Sequence, residues 1–147
     1  MTLEAVQLLV KTTIRHGQEI ENIEQNVEAT LYDKGRFLYV QYVEKLSEHL
    51  APVKTTLKIA ANEMKIIRNG QVKMNQRFIE NETTTGSYLS PYGHFQMITD
   101  TTHYKREWIK QKAAGRIQLT YTLRFNGNEV GVYTLEIEIG RNKNEYY

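Results

Sequence analysis

Apolar and polar residues alternate with a period of two through most of this chain. The segments Ile117 to Phe125 and Gly131 to Ile139, on either side of an Asn-Gly-Asn turn, show the pattern most clearly. Residues i and i+2 of an extended strand share a face, so the pattern predicts strands with one buried side. About eight to ten such segments recur at intervals of roughly ten residues, with no long amphipathic helical pattern between them. The chain is therefore predicted to be all-β.

Consecutive antiparallel strands with one apolar face can close into a barrel, which leaves no unpaired edge. We therefore expect an antiparallel up-and-down β-barrel. The length of 147 residues suits one core, and no linker or repeat divides the chain, so residues 1–147 should form a single barrel domain. Two segments are ambiguous. Glu44 to Pro52 fits a short helix or a polar loop, and Tyr104 to Ala114 fits a strand or a half-turn of helix.

The hairpin Met64 to Phe78 carries the strongest turn signal. Asn69-Gly70 is suited to the positive φ angles of a tight two-residue turn, so we predict such a turn between the two arms. The mostly apolar face of the second arm, which we expect to point into the barrel, consists of Val72, Met74, Gln76 and Phe78. Its polar face consists of Lys73, Asn75 and Arg77.

Composition excludes several classes of site. The chain has no cysteine, so it holds no disulfide, thiolate metal site or cysteine nucleophile. Its four histidines are spread over separate segments without metal-ligand spacing, and no GxSxG or glycine-rich phosphate loop is present. No apolar run approaches the roughly 20 residues of a membrane span, and the first residues do not resemble a signal peptide. We expect a cytoplasmic protein with no metal, cofactor, membrane partner or catalytic residues.

Gln76 stands on an otherwise apolar face and is the most distinctive candidate for a ligand contact. An unpaired buried amide costs about 1–3 kcal/mol, so Gln76 needs another polar group, water or a ligand. If the two faces are reversed, the polar face lines the interior and binds an anion together with Arg68. Inward tyrosines also suit water or a small ligand. The ligand-binding candidates are Tyr39, Arg68, Met74, Asn75, Gln76, Arg77, Tyr121 and Tyr133.

The basic stretch from His103 to Arg116 is an alternative site on the outer surface. Cations beside outward tyrosines suit single-stranded nucleic acid, whereas the net charge of +2 is too small to indicate nucleic acid by itself. Nucleic acid is therefore not the partner that we expect. The stretch also fits a solvated face without function or a surface for a protein partner. Its candidate residues are Lys105, Arg106, Trp108, Lys110, Lys112 and Arg116.

Self-association is a further expectation. The segment Arg36 to Val43 is rich in aromatic and β-branched residues, which predicts a strand buried on both faces or at a pocket wall. A strand of that kind could support a homodimer, the commonest oligomer.

The stretch RNGQVKMNQRF, from Arg68 to Phe78, resembles the most recognisable segment of the YwiB-like family of small bacterial proteins, a domain of unknown function. The segments FLYVQYVEK, TTLKI and GRIQLTYTL agree in order, so the resemblance covers nearly the whole chain. It implies a calycin-like β-barrel, similar in shape to lipocalins, and it implies no activity. The lipocalin Gly-X-Trp motif is missing, since the only tryptophan is Trp108.

These observations predict a non-catalytic protein that binds a small, partly apolar ligand in the barrel interior or mouth. The alternative is a surface interaction protein whose RNA or protein partner binds the stretch from His103 to Arg116.

Overall fold

Ten antiparallel strands follow one another in the computed structural model, which describes residues 3–141. The strands are β1 (Leu3–His16), β2 (Glu19–Asp33), β3 (Leu38–Glu44), β4 (Val53–Ile59), β5 (Glu63–Asn69), β6 (Lys73–Ile79), β7 (Thr83–Ser90), β8 (Gly93–Ile109), β9 (Ala114–Phe125) and β10 (Asn128–Gly140). A single turn of 3-10 helix (Lys110–Lys112) joins β8 to β9. Among the described residues, no helix is long and apolar enough to cross a membrane.

Each strand pairs with its neighbours in sequence, and the last strand closes on the first. The closing ladder between β10 and β1 runs from the pair Gln7 and Gly140 to the pair Arg15 and Val132. The all-β, antiparallel up-and-down barrel predicted from the alternation is therefore confirmed. Closure gives the first and last strands each a second hydrogen-bonded neighbour, which an open sheet would lack.

The interior of the barrel is lined mainly by the apolar residues of the alternating pattern. In β6, Met74, Gln76 and Phe78 are buried while the residues between them are exposed, so the mostly apolar face of this arm does point inward. Among the fully buried side chains are Leu8, Leu38, Leu57, Ile59, Met64, Phe78, Ile117, Leu119, Ile137 and Ile139.

The turn between β5 and β6 is longer than predicted. The last paired residues of the hairpin are Arg68 and Met74, so five residues lie between them rather than two. Gly70 has a positive φ of 158°, whereas Asn69 is not among the residues with positive φ. The prediction of a tight Asn69-Gly70 turn was wrong. The longer connection places Arg68 opposite Met74 and hence on the inward face.

Three other segments are settled by the structure. Residues 45–52 form an irregular loop rather than a helix, and residues 104–109 continue β8 before the 3-10 turn. The strand from Arg36 to Val43 was predicted to be buried on both faces or to lie at a pocket wall. It has only one buried face, because Val43 is 65% exposed while Val40 and Tyr42 are buried. The basis for expecting a homodimer through this strand is correspondingly weaker.

The wall of the barrel has a long half and a short half. Strands β1, β2, β8, β9 and β10 have 12–17 residues each, whereas β3 to β7 have 7 or 8. Strand β2 pairs with β3 only from Thr30 to Asp33, and the two strands then diverge. The interior is consequently accessible near the end of β3, where Gln25 of β2 reaches Glu44 of β3.

Strand β7 approaches β6 very closely at Gly86. A Cβ atom on Gly86 would lie 2.1 Å from the backbone oxygen of Asn75. We therefore expect Gly86→Ala to push the two strands apart and to lower the free energy of unfolding by about 2 kcal/mol. Urea denaturation would measure the loss. Ser87→Ala, at the next and exposed position, is the control and should change stability by less than about 0.5 kcal/mol; equal effects of the two substitutions would contradict the prediction.

Candidate functional site

An interior cavity of about 430 Å³ lies beneath the divergence of β2 and β3. Side chains from nine strands, all except β4, and from the loop after β3 converge on it. Its apolar lining comes from Ile14, Ile23, Leu46, Ile66, Met74, Met97, Leu123, Phe125 and Leu135. Its polar lining comes from Thr12, Gln25, Glu44, Lys45, Arg68, Gln76, Tyr88, Tyr121 and Tyr133. The cavity is therefore a mixed apolar and hydrogen-bonding environment.

An ion pair between Arg68 and Glu44 forms one wall of the cavity. The Arg68 Nε atom donates to Glu44 Oε1 at 2.8 Å, and the two side chains are 22% and 3% exposed. Thr55 donates its hydroxyl to the same carboxylate oxygen at 2.5 Å, and Gln25 Nε2 donates to Oε2 at 3.1 Å. The carboxylate is thus well satisfied by the protein itself.

The guanidinium of Arg68 is less well satisfied than its partner. Apart from the bond to Glu44, its one hydrogen-bond contact within the described residues joins Nη1 to the Met74 sulfur at 3.2 Å. A thioether sulfur is a weak acceptor, and guanidinium has five N–H donors. Arg68 therefore keeps donor capacity at the cavity wall.

Glu44 is ionised despite its burial. Burial opposes the charge, but the Arg68 charge and the hydrogen bonds from Thr55, Arg68 and Gln25 outweigh it and hold the pKa of Glu44 below its usual value. The carboxylate and the guanidinium thus form a charged pair that is neutral overall.

The lowered pKa of Glu44 makes folding stability depend on pH. The unfolded carboxyl has a pKa of about 4.3, so the contribution of Glu44 is fully present above that value and is lost as the pH falls through the lower folded pKa. We expect the stability difference between the native chain and Glu44→Gln to shrink between about pH 5 and pH 3. Urea midpoints across this range would measure it. Glu28→Gln, which removes an exposed carboxylate, is the control, and a difference for Glu44→Gln that stayed constant with pH would contradict the assignment.

Two tyrosines form an aromatic floor beside the ion pair. The rings of Tyr121 and Tyr133 stack with centroids 5.1 Å apart at 12°, and Phe78 lies 4.8 Å from Tyr121. Burial, followed by the neighbouring Tyr133, raises the pKa of Tyr121, and burial, followed by Glu21, raises that of Tyr133. Both hydroxyls therefore stay protonated at neutral pH and remain able to donate.

Gln76 has a partner inside the protein. Its Nε2 atom donates to the Thr99 hydroxyl at 3.1 Å, and the residue is only 4% exposed. This bond satisfies part of the hydrogen-bonding capacity of the amide. The Gln76 side chain also lines the cavity.

The ligand-binding candidates divide between the two sides of the wall. Those that the structure brings together in the cavity are Arg68, Met74, Gln76, Tyr121 and Tyr133. Tyr39, Asn75 and Arg77 lie on the outer wall instead, because they alternate with buried residues of β3 and β6. Arg77 pairs with Glu63 there, with Nη2 and Oε2 2.6 Å apart. The reversed arrangement, in which Asn75 and Arg77 line the interior, does not occur.

Sequence reasoning missed Glu44, the partner of Arg68. The alternation of Leu38, Val40 and Tyr42 continues to position 44, which the pattern would have placed inside. Glu44 was instead placed at the start of the following segment, which fitted a short helix or a polar loop. The alternation therefore indicated a buried carboxylate at position 44. Its partner, Arg68, lies 24 residues away in sequence and could not be identified from the pattern.

The basic stretch from His103 to Arg116 does not form one exposed face. Tyr104 is buried and Trp108 packs against the core, whereas Lys105 lies outside beside Glu107. Arg116 contacts the carboxylates of Glu107 and Glu136. The Nη1 atom of Arg106 is buried. The cations of the stretch are thus divided between the two sides of the wall, and some are paired.

A metal cluster and a larger groove would be the alternatives to the cavity in the part of the chain that the structure describes. Residues 3–141 contain no cluster of three or more metal-ligating side chains. A larger groove of about 830 Å³ lies over β1, β2 and β3, but it includes mainly outward-facing residues such as Gln7, Thr30 and Gln41. The interior cavity is where charged, aromatic and amide groups converge.

Comparisons with known proteins agree with the barrel and assign no activity. The family model described as a domain of unknown function, DUF1934, matches residues 8–137. The "Uncharacterized beta-barrel protein YwiB" of Bacillus subtilis is 30% identical over 133 residues, which cover 90% of each protein. The crystal structure of ywiB protein from Bacillus subtilis superposes with a TM-score of 0.84 at 28% identity, covering 96% of this chain and 94% of that one.

Proposed function

This chain belongs to the DUF1934 family, and we propose that it is a non-catalytic binding protein for one small, partly apolar ligand held in the interior cavity. The volume of about 430 Å³ lies within the range of about 300–1,000 Å³ that is usual for small-molecule sites. Barrels of comparable strand number can enclose a single small ligand. The size of the cavity therefore fits a ligand smaller than most cofactors.

The unused donor capacity of Arg68 is the observation that carries the proposal. A guanidinium in a partly buried wall needs acceptors, and within the described residues Arg68 has one carboxylate and one thioether sulfur. A ligand oxygen would supply a further acceptor at a place where bulk water has limited access. The same ligand could accept from the protonated hydroxyls of Tyr121 and Tyr133, which line the same cavity.

Charge favours a neutral head group over a free anion. The Glu44 carboxylate lies 2.8 Å from Arg68 and cancels most of the positive field that would attract an anion. A carbonyl, amide or hydroxyl group can still accept from Arg68 without facing the negative charge as an ion. The apolar body of the ligand would then contact Met97, Leu123 and Phe125.

A thermal-shift screen of neutral metabolites, followed by native mass spectrometry, tests the proposal. A compound present at about 100 times its Kd should raise the unfolding temperature by about 5–10 °C. Arg68→Lys keeps the positive charge beside Glu44 but removes the planar fork of donors. We expect this variant to bind the same compound about tenfold more weakly.

Arg77→Lys on the outer wall is the matched control. It makes the same substitution in an arginine that also pairs with a carboxylate, and it should leave ligand binding unchanged. Equal loss in both variants, or a compound that binds Arg68→Lys as tightly as the native chain, would refute the assigned site. The homodimer and the cytoplasmic location expected from the sequence stay predictions.

A further inference from the structure

The outer wall carries a row of aromatic and basic residues that crosses five strands. Tyr32 pairs with Tyr39, Tyr39 with Lys58, Lys58 with Lys65, and Lys65 with Arg77. Residues directly opposite one another share a face, so all five side chains lie on the outside. With adjacent strands about 4.8 Å apart, the row is about 19 Å long.

The β2–β3 turn adds charge and a further ring to one end of this row. Lys34, Arg36 and Phe37 belong to that turn. Side chains of the turn lie against side chains of the row. The Nζ atom of Lys58 lies 4.3 Å from the centre of the Phe37 ring, and that of Lys34 lies 5.1 Å from the Tyr39 ring. We call the row together with these three residues the outer basic patch.

Most cations of the outer basic patch have no carboxylate partner. Arg77 pairs with Glu63, but within residues 3–141 no carboxylate lies within ion-pair distance of Lys34, Arg36, Lys58 or Lys65. The five cations of the patch, counted with Glu63 beside them and with Asp33 next to Lys34 in sequence, give a charge of +3, compared with +2 for the whole chain. Elsewhere on the outer wall, Arg124 pairs with Asp100.

Repulsion between neighbouring cations lowers the stability of the sheet at the outer basic patch. Like charges directly opposite each other in a sheet destabilise the pairing, and Lys65 has a cation on both sides. Phe37, Lys58, Glu63, Lys65 and Arg77 line a small pocket of about 180 Å³, where one ring, three cations and one carboxylate meet. An anion with a flat group would relieve the repulsion and occupy the pocket.

We propose that the outer basic patch binds single-stranded nucleic acid. Cations along a groove follow the phosphates, and aromatic rings between them stack on unpaired bases. When a nucleic-acid strand binds, the side chains of Lys34 and Lys58 move from the ring faces to the phosphates. The bases can then stack on those ring faces. An acidic protein segment would use the cations but gains nothing from the three half-buried rings, Tyr32, Phe37 and Tyr39. The site is separate from the interior cavity and does not depend on the ligand proposed there.

Fluorescence anisotropy with a labelled single strand of about ten nucleotides, a length within the range that single OB-fold domains cover, tests the proposal. RNA and DNA of one sequence should both bind, with a Kd of about 10 μM or lower at about 50 mM salt. Lys58→Gln/Lys65→Gln should raise Kd at least tenfold and reduce the slope of log K against log salt by about 1.4, since each phosphate contact contributes about 0.7. Tyr39→Leu should weaken binding about tenfold with little change in slope.

Lys110→Gln/Lys112→Gln is the matched control, because it removes the same charge from exposed positions outside the patch. It should bind like the native chain. Removing the repulsion should leave Lys58→Gln/Lys65→Gln at least as stable to heat, which separates lost binding from unfolding.

Four results would overturn the proposal: no binding at about 50 mM salt, equal loss in the control variant, equal affinity for a duplex of the same sequence, or equal affinity for polyglutamate. A duplex hides its bases from the rings, so it should bind more weakly. Polyglutamate binding that depends on the same lysines would indicate an acidic protein partner instead.

Discussion

Glu44→Gln should lower the free energy of unfolding by about 3 kcal/mol, because it leaves the charge of Arg68 uncompensated in the barrel wall. Removing one partner of a buried ion pair costs about 3–5 kcal/mol. The lower end of this range applies here, since the Arg68 side chain is 22% exposed and water can partly solvate it. The substitution is nearly isosteric, so packing around Thr55 and Gln25 is retained. Urea denaturation at pH 7 would measure the loss.

The double variant Glu44→Gln/Arg68→Met separates the ion pair from the local packing. Removing both charges leaves no uncompensated ion. Replacing a buried ion pair by uncharged residues often changes the free energy of unfolding little. We expect the double variant to be more stable than Glu44→Gln alone, with an interaction free energy of about 1–3 kcal/mol. Strictly additive losses, or a loss below about 1 kcal/mol for Glu44→Gln, would show that the pair does not hold this wall together.

Phe78→Ala should have the largest effect, a loss of about 4 kcal/mol. Phe78 is fully buried and its ring lies 4.8 Å from Tyr121 in the floor of the cavity. Truncation removes the apolar contacts of the ring and leaves a void that a closed barrel cannot easily collapse, for which losses of about 3–5 kcal/mol are typical. A domain with ordinary stability of about 5–15 kcal/mol would remain folded at room temperature. Chemical denaturation monitored by circular dichroism would measure the change.

Leu89→Ala provides the comparison for Phe78→Ala. Leu89 also lies in the β6–β7 region, but it is 46% exposed, so its truncation should cost less than about 0.5 kcal/mol. A loss below about 2 kcal/mol for Phe78→Ala would mean that the barrel contracts around the void. Unchanged stability in Phe78→Ala together with a loss in Leu89→Ala would reverse the assignment of inner and outer faces.

The barrel could be predicted from sequence because its physical cause is local. The buried face of a strand appears in its sequence as a period of two, and β6 and residues 115–123 of β9 show this period without interruption. The number and antiparallel order of the strands follow from short connections. The β5–β6 turn was mispredicted because Asn-Gly suits a two-residue turn, while the register actually begins at Arg68 and Met74.

The candidate site could be predicted only in part, for a related reason. Met74, Gln76, Tyr121 and Tyr133 follow the alternation into the interior. Tyr39 and Arg77 were proposed on residue type, and the same alternation places them outside. Glu44 and the basic row through Lys58 and Lys65 depend on partners in other strands, which no single segment of sequence reveals.

The sequence by itself determined the all-β class, the antiparallel barrel and the inward face of β6, because alternation and short turns act within a few residues. The tertiary structure decided the register of the β5–β6 hairpin, the pairing of Arg68 with Glu44 and the row of cations on the outer wall. Those features depend on which residues of different strands stand opposite each other. Register is a property of the closed sheet, and a shift of one residue exchanges the inner and outer sides of a strand.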